Sequence, residues 1–313
     1  MKFSHIFNKV LAGVLVSLGC AEMHAQQDPQ YTHYMYNTVN INPAYAGNRG
    51  ALSIFGLHRT QWVGLEGAPR TNSFSINTPL RDSKLGLGVG FVNDRLGVSE
   101  ENTISVDLSY TIDLNRQGSS KLSFGVKGSA NMLNVEYSRL KQATPGDPML
   151  AVNIENEFSP NIGAGVYWHN EKSYVGLSVP NFLENKRFED SSIYSSMNQR
   201  MHFFLMGGHI FELNPTLKFK PAALVKAVYG SPLQADVTAN FLIHDKLTLG
   251  AAYRWDAAWS GLIGYQITNG LFIGYSYDAE TTKLARYNNG SHEVFMRFEL
   301  FNKYNRVNTP RFY

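Results

Sequence analysis

The sequence predicts an all-β protein: a transmembrane, antiparallel, up-and-down β-barrel of about 14 strands with an N-terminal periplasmic segment. Between Ile104 and Leu114 apolar side chains alternate with polar ones, and successive side chains of a strand point to opposite faces of the sheet. The alternation recurs nearly to the C-terminus. The predicted connections are short at one rim and mostly long at the other, which is typical of outer-membrane barrels.

The chain begins with the features of an export signal. Lys2 and Lys9 supply a basic start, and the apolar core from Val10 to Leu18 is too short to span a bilayer as a helix. We predict cleavage between Ala25 and Gln26. The mature protein is then expected in the outer membrane, exported through a cleaved signal peptide.

The chain divides into three predicted parts: the signal at 1–25, an N-terminal segment at 26–49, and the barrel with its C-terminal tail at 50–313. The segment 26–49 is rich in Tyr and Asn and has no clear period, so it either plugs the barrel or lies beneath it in the periplasm. The one cysteine, Cys20, follows a sequence similar to a lipoprotein box. Lipidation is therefore an open alternative to its loss with the signal.

The strands are read from period-two alternation. Between Leu85 and Phe91 every second residue is glycine, and this bare inward face would let the segment 26–49 come close. Pro221 lies in the middle of a strand, where it removes a ladder donor, so a bulge is expected there. The predicted strands lie near residues 50–60, 71–79, 84–94, 102–114, 120–132, 159–169, 172–180, 200–212, 216–229, 232–243, 246–255, 258–268, 270–278 and 291–300.

The longer connections are predicted to share one rim, which faces the cell exterior if the first strand begins on the periplasmic side. Aromatic residues near the strand ends suit the interfacial belts of such a barrel, and ordinary core aromatics are the alternative. The longer links are 61–70, 95–101, 133–158, 181–199 and 279–290. The aromatic residues are Tyr167, Trp168, Tyr229, Tyr253, Trp255, Trp259 and Tyr265.

The composition favours a membrane barrel over a soluble globule, because only 17% of residues are charged and 13% are aromatic. The formal charge of +3 gives no reason to expect a nucleic-acid partner. No metalloprotease helix, nucleophile elbow or phosphate-binding loop occurs in the sequence. We therefore predict a non-enzymatic protein, with no catalytic, metal or cofactor site and no cofactor.

Charged residues on the polar faces of the strands are predicted to point into the lumen, since their neighbours would face lipid. Two interpretations remain open: an ion-paired plug that closes the interior, or a polar path for a solute. These residues are Asp107, Lys127, Lys218, Lys220, Lys226, Asp236, Arg254, Arg297 and Glu299.

The segment before the first strands reads Gln27-Asp28-Pro29-Gln30-Tyr31-Thr32-His33-Tyr34-Met35-Tyr36-Asn37, then Asn42-Pro43-Ala44-Tyr45-Ala46-Gly47. Arg59-Thr60-Gln61-Trp62, Gly67-Ala68-Pro69 and the terminal Arg311-Phe312-Tyr313 follow later. Together these motifs resemble the PorP/SprF family of type IX secretion-associated outer-membrane proteins. The resemblance is densest over 26–95 and architectural in the loops. The motif residues we single out are Asp28, Pro29, Tyr31, Tyr34, Asn37, Asn42, Pro43, Ala44, Gly47, Arg59, Gln61 and Trp62.

These motif residues have a physical reading of their own. Asn42-Pro43 starts a turn, because proline restricts its own backbone and that of the residue before it. Gly47 permits a conformation that other residues resist. Arg59 and Trp62, at the outer end of the first strand, are expected to stack or to anchor the first long loop. The alternative is that all of them shape the fold and contact no partner.

The resemblance implies a barrel that helps particular large substrates of the type IX system to be exported and held on the cell surface. Such substrates carry the type B C-terminal domain and include gliding adhesins. The implied partners are outer-membrane lipid and one large secreted substrate, with components of the secretion machinery as an alternative. The loops 133–158, 181–199 and 279–290 would be the docking surface. A passive or solute-selective channel is the alternative function.

Overall fold

The computed structural model describes residues 31–80, 83–140, 152–183 and 200–300, and their strands form one closed antiparallel 14-strand β-barrel. The strands are β1 Leu52–Thr60, β2 Arg70–Pro79, β3 Leu85–Leu96, β4 Ser99–Asp113, β5 Lys121–Val135, β6 Ile154–His169, β7 Ser173–Val179, β8 His202–His209 continued by Phe211–Asn214, β9 Leu217–Val228, β10 Gln234–Ile243, β11 Leu247–Arg254, β12 Ala258–Thr268, β13 Leu271–Glu280 and β14 Ser291–Leu300.

Every strand pairs with its neighbours in sequence, and the first strand closes the barrel against the last. The β1–β14 seam runs in continuous register from the Leu52–Leu300 pair to the Thr60–His292 pair. Closure leaves no sheet edge without a partner, which is the condition for crossing a hydrocarbon layer with strands. The predicted fold class is confirmed, and the predicted strands agree with the observed ones to within a few residues in most cases.

The largest differences in strand boundaries lie at the rim of the longer loops. The link predicted at 95–101 is a two-residue turn, because β3 and β4 pair as far as Leu96 and Ser99. Gly97 makes this turn possible with φ of 60°, a left-handed conformation that glycine adopts without penalty. Strand β6 likewise begins at Ile154, earlier than the alternation indicated.

The two faces of the sheet differ in chemistry, as the alternation predicts. Along β4 the side chains of Val106 and Leu108 are 49% and 42% exposed on the outer face, while those of Asp107 and Ser109 are buried in the lumen. Phe124 and Val126 of β5 are also exposed on the outer face. A continuous outer apolar face of this kind suits lipid and would be a liability in water.

Aromatic side chains occur near both rims of the outer face. Trp255 and Trp259 are 64% and 58% exposed at the rim of the longer loops, and Tyr265 is exposed nearer the other rim. Tyr167 does not belong to such a belt, because it points into the lumen and stacks against Tyr174. Its place in the strand puts it on the inner face, and the prediction from strand ends alone was wrong for it.

The predicted bulge at Pro221 is absent. Pro221 pairs with Ala239 in the unbroken register between β9 and β10. On the other side of β9, the pairs Ala222–Gly208 and Phe219–Phe211 keep a single register. The register shift on this side lies between Leu217 and Lys218, at the inner end of β9. Strand β8 is interrupted at Ile210, beside the position across from Pro221.

The loops of the two rims differ in length. The rim at the end of β1, here called the outer rim, has the connections 61–69, 136–153, 180–201 and 281–290, whereas the inner rim has turns such as 170–172 and 269–270. None of the described helices is long and apolar enough to cross a membrane.

Candidate functional site

Residues 31–49 lie inside the barrel, and we call them the plug. Most of their side chains are buried, and Asn42 and Ala44 are fully so. The plug contains one turn of helix, Thr38–Ile41, and a 3-10 turn, Pro43–Tyr45. Asn42 caps the second turn, because its side-chain oxygen accepts a hydrogen bond from the backbone N–H of Ala44 at 3.0 Å. Of the two placements that the sequence leaves open, these residues occupy the lumen.

The lower part of the plug is tied to the inner half of the barrel wall. Asn48 accepts hydrogen bonds from the hydroxyls of Ser123 at 3.0 Å and Thr111 at 3.3 Å. The Arg49 guanidinium forms a buried ion pair with Glu299 of the last strand. These contacts reduce the cost of burying the polar groups of Asn48 and Arg49.

The middle of the plug passes so close to the wall that only glycine fits there. A Cβ atom on Gly125 would lie 2.1 Å from the backbone nitrogen of Ala44, and one on Gly86 would lie 2.2 Å from the carbonyl oxygen of Ala46. Gly47, with φ of 72°, turns the plug chain at this level. The inward glycines are therefore where the plug backbone packs against the sheet backbone.

The Asn42 side chain lies against the paired strands β6 and β7. Its amide donates to the carbonyl oxygen of Val166 at 3.0 Å, and a Cβ on Gly165 would overlap its oxygen. Beside it, the hydroxyl of Ser178 donates to the carbonyl oxygen of Ile41 at 2.9 Å. Strand β6 thus contacts the Asn42 side chain and β7 contacts the plug backbone at Ile41, and a larger residue at either contact would displace the plug.

The upper part of the plug is held by a buried charged cluster at the barrel seam. Arg59 donates from Nη2 to Asp278 at 2.7 Å and from Nη1 to Glu293 at 3.1 Å. The backbone N–H groups of Thr32 and His33 donate to the two oxygens of Glu293 at 3.1 and 2.9 Å. The Thr32 hydroxyl donates to Asp278 and accepts from Arg59, while the His33 ring lies 2.6 Å from Glu293. We call these five residues the seam cluster.

Below the seam cluster, aromatic rings join the plug to the wall. Tyr36 stacks on Phe272 with centroids 5.4 Å apart and lies 4.7 Å from Phe295. The guanidinium of Arg297 is 5.5 Å from the ring centres of both Tyr36 and Phe272. Aromatic pairs contribute about 0.5–1.5 kcal/mol beyond the area that they bury, so these ring contacts add to the stability of the plug in the lumen.

The predicted lumen charges are buried inside the barrel, except for Lys218. Lys127 pairs with Asp107 at 3.1 Å, and Arg254 pairs with Asp236 at 2.8 Å. Lys218 lies near the inner rim and pairs with the exposed Asp245 of a turn. The buried members are Asp107, Lys127, Lys220, Lys226, Asp236, Arg254, Arg297 and Glu299.

The motif residues fall into two groups. One group builds the plug, and the other lies at the outer end of β1, where Gln61 is buried and the Trp62 indole N–H donates to Glu280 at 2.8 Å. The backbone of Trp62 also donates to Ser291, so this residue fastens the first loop to the neighbouring strands. Arg59 does not stack with it, because its side chain points into the lumen. The plug contains Tyr31, Tyr34, Asn37, Asn42, Pro43, Ala44 and Gly47.

Several predictions fall outside the described residues. They concern Ala25, Gln26, Cys20 and the motif residues Asp28 and Pro29. The C-terminal tail from 301 and parts of two long outer loops, 141–151 and 184–199, also lie there. Within the described ranges, no group of three or more His, Cys, Asp or Glu side chains could hold a metal ion.

The seam cluster was missed as a unit by sequence reasoning. Glu293 lies on the same face of β14 as Arg297 and Glu299, and Asp278 shares a face of β13 with Ser276, so strand alternation alone could have found both carboxylates. The plug members Thr32, His33 and Arg49 carry no such signal, because the plug has no regular period.

A closed antiparallel barrel with an apolar outer face and a polar, filled lumen has the architecture of a bacterial outer-membrane barrel. The chain belongs to the family described as type IX secretion system membrane protein PorP/SprF, whose model matches residues 23–298. Membership associates the protein with type IX secretion and supports its place in the outer membrane. No curated protein sequence matches the chain.

Solved barrels of similar shape include the Acinetobacter baumannii outer membrane protein Omp33, at 10% identity and a TM-score of 0.46, with 80% of this chain and 98% of that chain covered. The CymD monoaromatic hydrocarbon channel is 11% identical at a TM-score of 0.48, with 85% and 93% covered. A KdgM porin in complex with disordered oligogalacturonate is 10% identical at 0.41, with 80% and 99% covered. Similarities of this degree carry no information on ligand or activity.

Adding one methyl group at the plug contact should weaken the barrel. In Gly125→Ala the new Cβ meets the plug backbone at Ala44, and overpacking of this kind costs about 1–3 kcal/mol. Gly128→Ala is the matched control, because it lies on the same strand with no atom within 4 Å of the added Cβ. Urea unfolding in detergent should show lower stability for the first variant alone; equal stability of the two would contradict the plug contact.

Removing the central carboxylate of the seam cluster should be strongly destabilising. Glu293→Ala removes one of the two carboxylates that Arg59 contacts and the shared acceptor of the Thr32 and His33 N–H groups, and breaking a buried ion pair costs about 3–5 kcal/mol. Val294→Ala truncates the adjacent lipid-facing residue, which is 53% exposed, and should cost much less. For each variant, we would measure the temperature at which the folded barrel loses its heat-modifiable migration in gels. Equal midpoints for the two would contradict a structural role of the cluster.

Proposed function

We propose that the protein is a non-enzymatic outer-membrane barrel that assists the type IX export and the cell-surface attachment of specific large substrates. These substrates carry the type B C-terminal domain, and gliding adhesins are among them. Family membership supports the link to type IX secretion. The observation that carries the rest of the proposal is the plug, since it fills the lumen of the barrel over most of its height.

The plug favours a scaffold over a pore. It is held near the inner rim by Arg49 and Glu299, in the middle by backbone packing on Gly125, and near the outer rim by Glu293 and Asp278. Charged contacts at both ends are costly to break inside a barrel. A protein whose lumen is held shut in this way acts on its partners through its rims.

The outer rim is the proposed docking surface, with the signal cleaved after Ala25 and the longer loops outside the cell. Loops on a rigid scaffold commonly carry recognition. The longest candidates are the connections 136–153, 180–201 and 281–290, which were predicted as 133–158, 181–199 and 279–290. The last of these is braced by the hydrogen bond from Trp62 to Glu280 at its base. The short inner turns leave little surface on the periplasmic side, which supports recognition at the outer rim.

Shortening one outer loop should separate folding from function. Replacing residues 137–152 with a two-residue turn leaves β5 and β6 intact, so the barrel should fold with unchanged heat-modifiability. The substrate should then be lost from the cell surface, as measured by its accessibility to protease added to intact cells. The matched control replaces the inner turn 115–119 in the same way and should keep the substrate on the surface. Retained display with the outer loop removed would count against docking there.

Surface proteomics of a deletion strain distinguishes the two roles within type IX secretion. Loss of one or a few very large surface proteins, with other cargo intact, supports a substrate-specific barrel and identifies its client. Loss of all type IX cargo supports a machinery role. An unchanged surface proteome contradicts both the substrate-specific role and the machinery role, and favours the channel as the function.

A passive or solute-selective channel is the second candidate. The observation that favours it is a cavity of about 150 Å³ on the outer side of the plug, whose wall includes Lys127, Asn131, Lys226 and Asp236. A mobile plug would connect this cavity, which several charged side chains line, with the inner rim. The ties described above make such movement costly, which places the channel second.

Removing the plug should open the barrel. Deletion of 26–49, with the signal retained, leaves the lumen charges in water, where they need no partner. Planar bilayers should then show stable conductance that the full-length protein lacks. Heat-modifiable migration verifies that the variant is folded. Unchanged conductance in a folded deletion variant would contradict the plug, and conductance of the full-length protein would favour the channel.

A further inference from the structure

A second cavity lies at the inner rim, beside the end of the plug. Its volume is about 260 Å³, well above the roughly 10–15 Å³ that one water molecule needs. Residues 46–48 of the plug and Gly50 form one side of it. The inner ends of strands β2 to β6 and the turn between β2 and β3 form the other. We call this space the inner cavity.

Three ionisable side chains of its wall come from neighbouring strands. Asp113 ends β4, Lys121 begins β5 and His169 ends β6. Lys121 is the direct cross-strand partner of both Asp113 and His169, so the three side chains form a row along the rim. Lys84, in the turn that leads into β3, is a further wall residue. Two ammonium groups and an imidazole therefore surround one space.

The two lysines of this wall are not neutralised by the protein around them. Across the described ranges, no carboxylate lies within ion-pairing distance of Lys84 or Lys121. Asp113 lies beside the β4–β5 turn, where a Cβ added to Gly118 would come 3.7 Å from its Oδ1 atom. By contrast, Lys127 higher on the same strand β5 pairs with Asp107 at 3.1 Å. The inner cavity is thus a place of uncompensated positive charge.

The imidazole of His169 is a second and independent sign of a ligand. Its residue is only 1% exposed, and it forms part of the cavity wall. Neither ring nitrogen makes a hydrogen bond of normal geometry to any described residue. The ring packs against that of Tyr167, with the ring centres 5.6 Å apart, which holds it in the wall. A buried polar group without a partner costs free energy, and a ligand oxygen in the cavity would remove that cost.

We propose that the inner cavity binds an anionic oxygen group, a carboxylate or a phosphate. The ammonium groups of Lys84 and Lys121 compensate its charge, and the His169 ring donates a hydrogen bond to one of its oxygens. The source is either a free anion or an acidic segment of another protein chain. The site does not depend on the proposed function; only its assignment to the periplasmic side rests on the proposed orientation.

A phospholipid headgroup is not the source that the geometry favours. Ser123, two residues from Lys121 on the same face of β5, is fully buried and donates to Asn48 of the plug. The side chains of this face therefore point into the barrel, and the lipid-facing side chains of β5, such as Phe124, lie on the opposite face. A ligand reaches the inner cavity from the aqueous space at the inner rim.

Titration of the folded barrel in detergent tests the site. The probes are inorganic phosphate and a tetraglutamate peptide, with a tetraglutamine peptide as the neutral reference, all at one ionic strength. Isothermal calorimetry should show saturable binding of phosphate, of tetraglutamate or of both. Lys121→Gln should weaken this binding roughly tenfold, because a hydrogen bond to a charged group contributes about 1.5–3 kcal/mol. Lys84→Gln should act in the same direction.

The matched control is Lys246→Gln. It removes the same charge from an exposed position in the inner turn between β10 and β11, on the opposite side of the barrel, and should leave binding unchanged. Heat-modifiable migration verifies that every variant is folded.

Binding that Lys121→Gln weakens and Lys246→Gln does not would support the site. Within that result, binding of phosphate alone identifies a free anion as the ligand, and tighter binding of tetraglutamate identifies a carboxylate on a protein chain. No saturable binding of either charged probe would overturn the proposal, and so would equal weakening by the two variants. Substrate display on cells is a separate measurement, so the site and the proposed function can fail independently.

Discussion

The seam cluster is the contact on which the rest of the structure depends. Arg59 belongs to the first strand, Asp278 and Glu293 to the last two strands, and Thr32 and His33 to the plug. A buried guanidinium or carboxylate is tolerated only with close partners, and here each element supplies what the others lack. The first and last strands must also pair to close the barrel. Closure of the sheet and seating of the plug therefore satisfy the same set of charges.

This coupling explains why the wall is shaped around the plug. Inward glycines such as Gly86 and Gly125 leave room for plug backbone that any larger residue would displace, and they weaken the strands that contain them. The plug compensates with hydrogen bonds to Ser123 and Ser178 and with ring contacts to Phe272. The wall and the plug thus form one packed interior, in which neither part has its full set of contacts alone.

Strand alternation predicted those parts of the structure that depend on local chemistry. It located the strands and put Asp107, Lys127 and Arg254 on one face, because the period of a strand is fixed by its backbone. Its failures have specific causes. Tyr167 was assigned to an interfacial belt from its position near a strand end, but the face of the strand decides which way its side chain points. Arg59 was grouped with Trp62 because the two are close in sequence. The plug path could not be predicted, since its contacts lie far apart in sequence and its residues follow no period.

A filled lumen changes what such a barrel can offer to a partner. Lipid covers the outer apolar face, the plug occupies the interior, and the inner turns are short, so the outer rim presents most of the loop surface. Trp62 holds the first loop against Glu280 and Ser291, at the base of the last loop, and the seam cluster lies beneath them. The same junction of first and last strands thus supports the closed interior and the outer rim. In the proposed function, a partner that binds at this rim contacts a surface that rests on the seam cluster, to which the plug contributes Thr32 and His33.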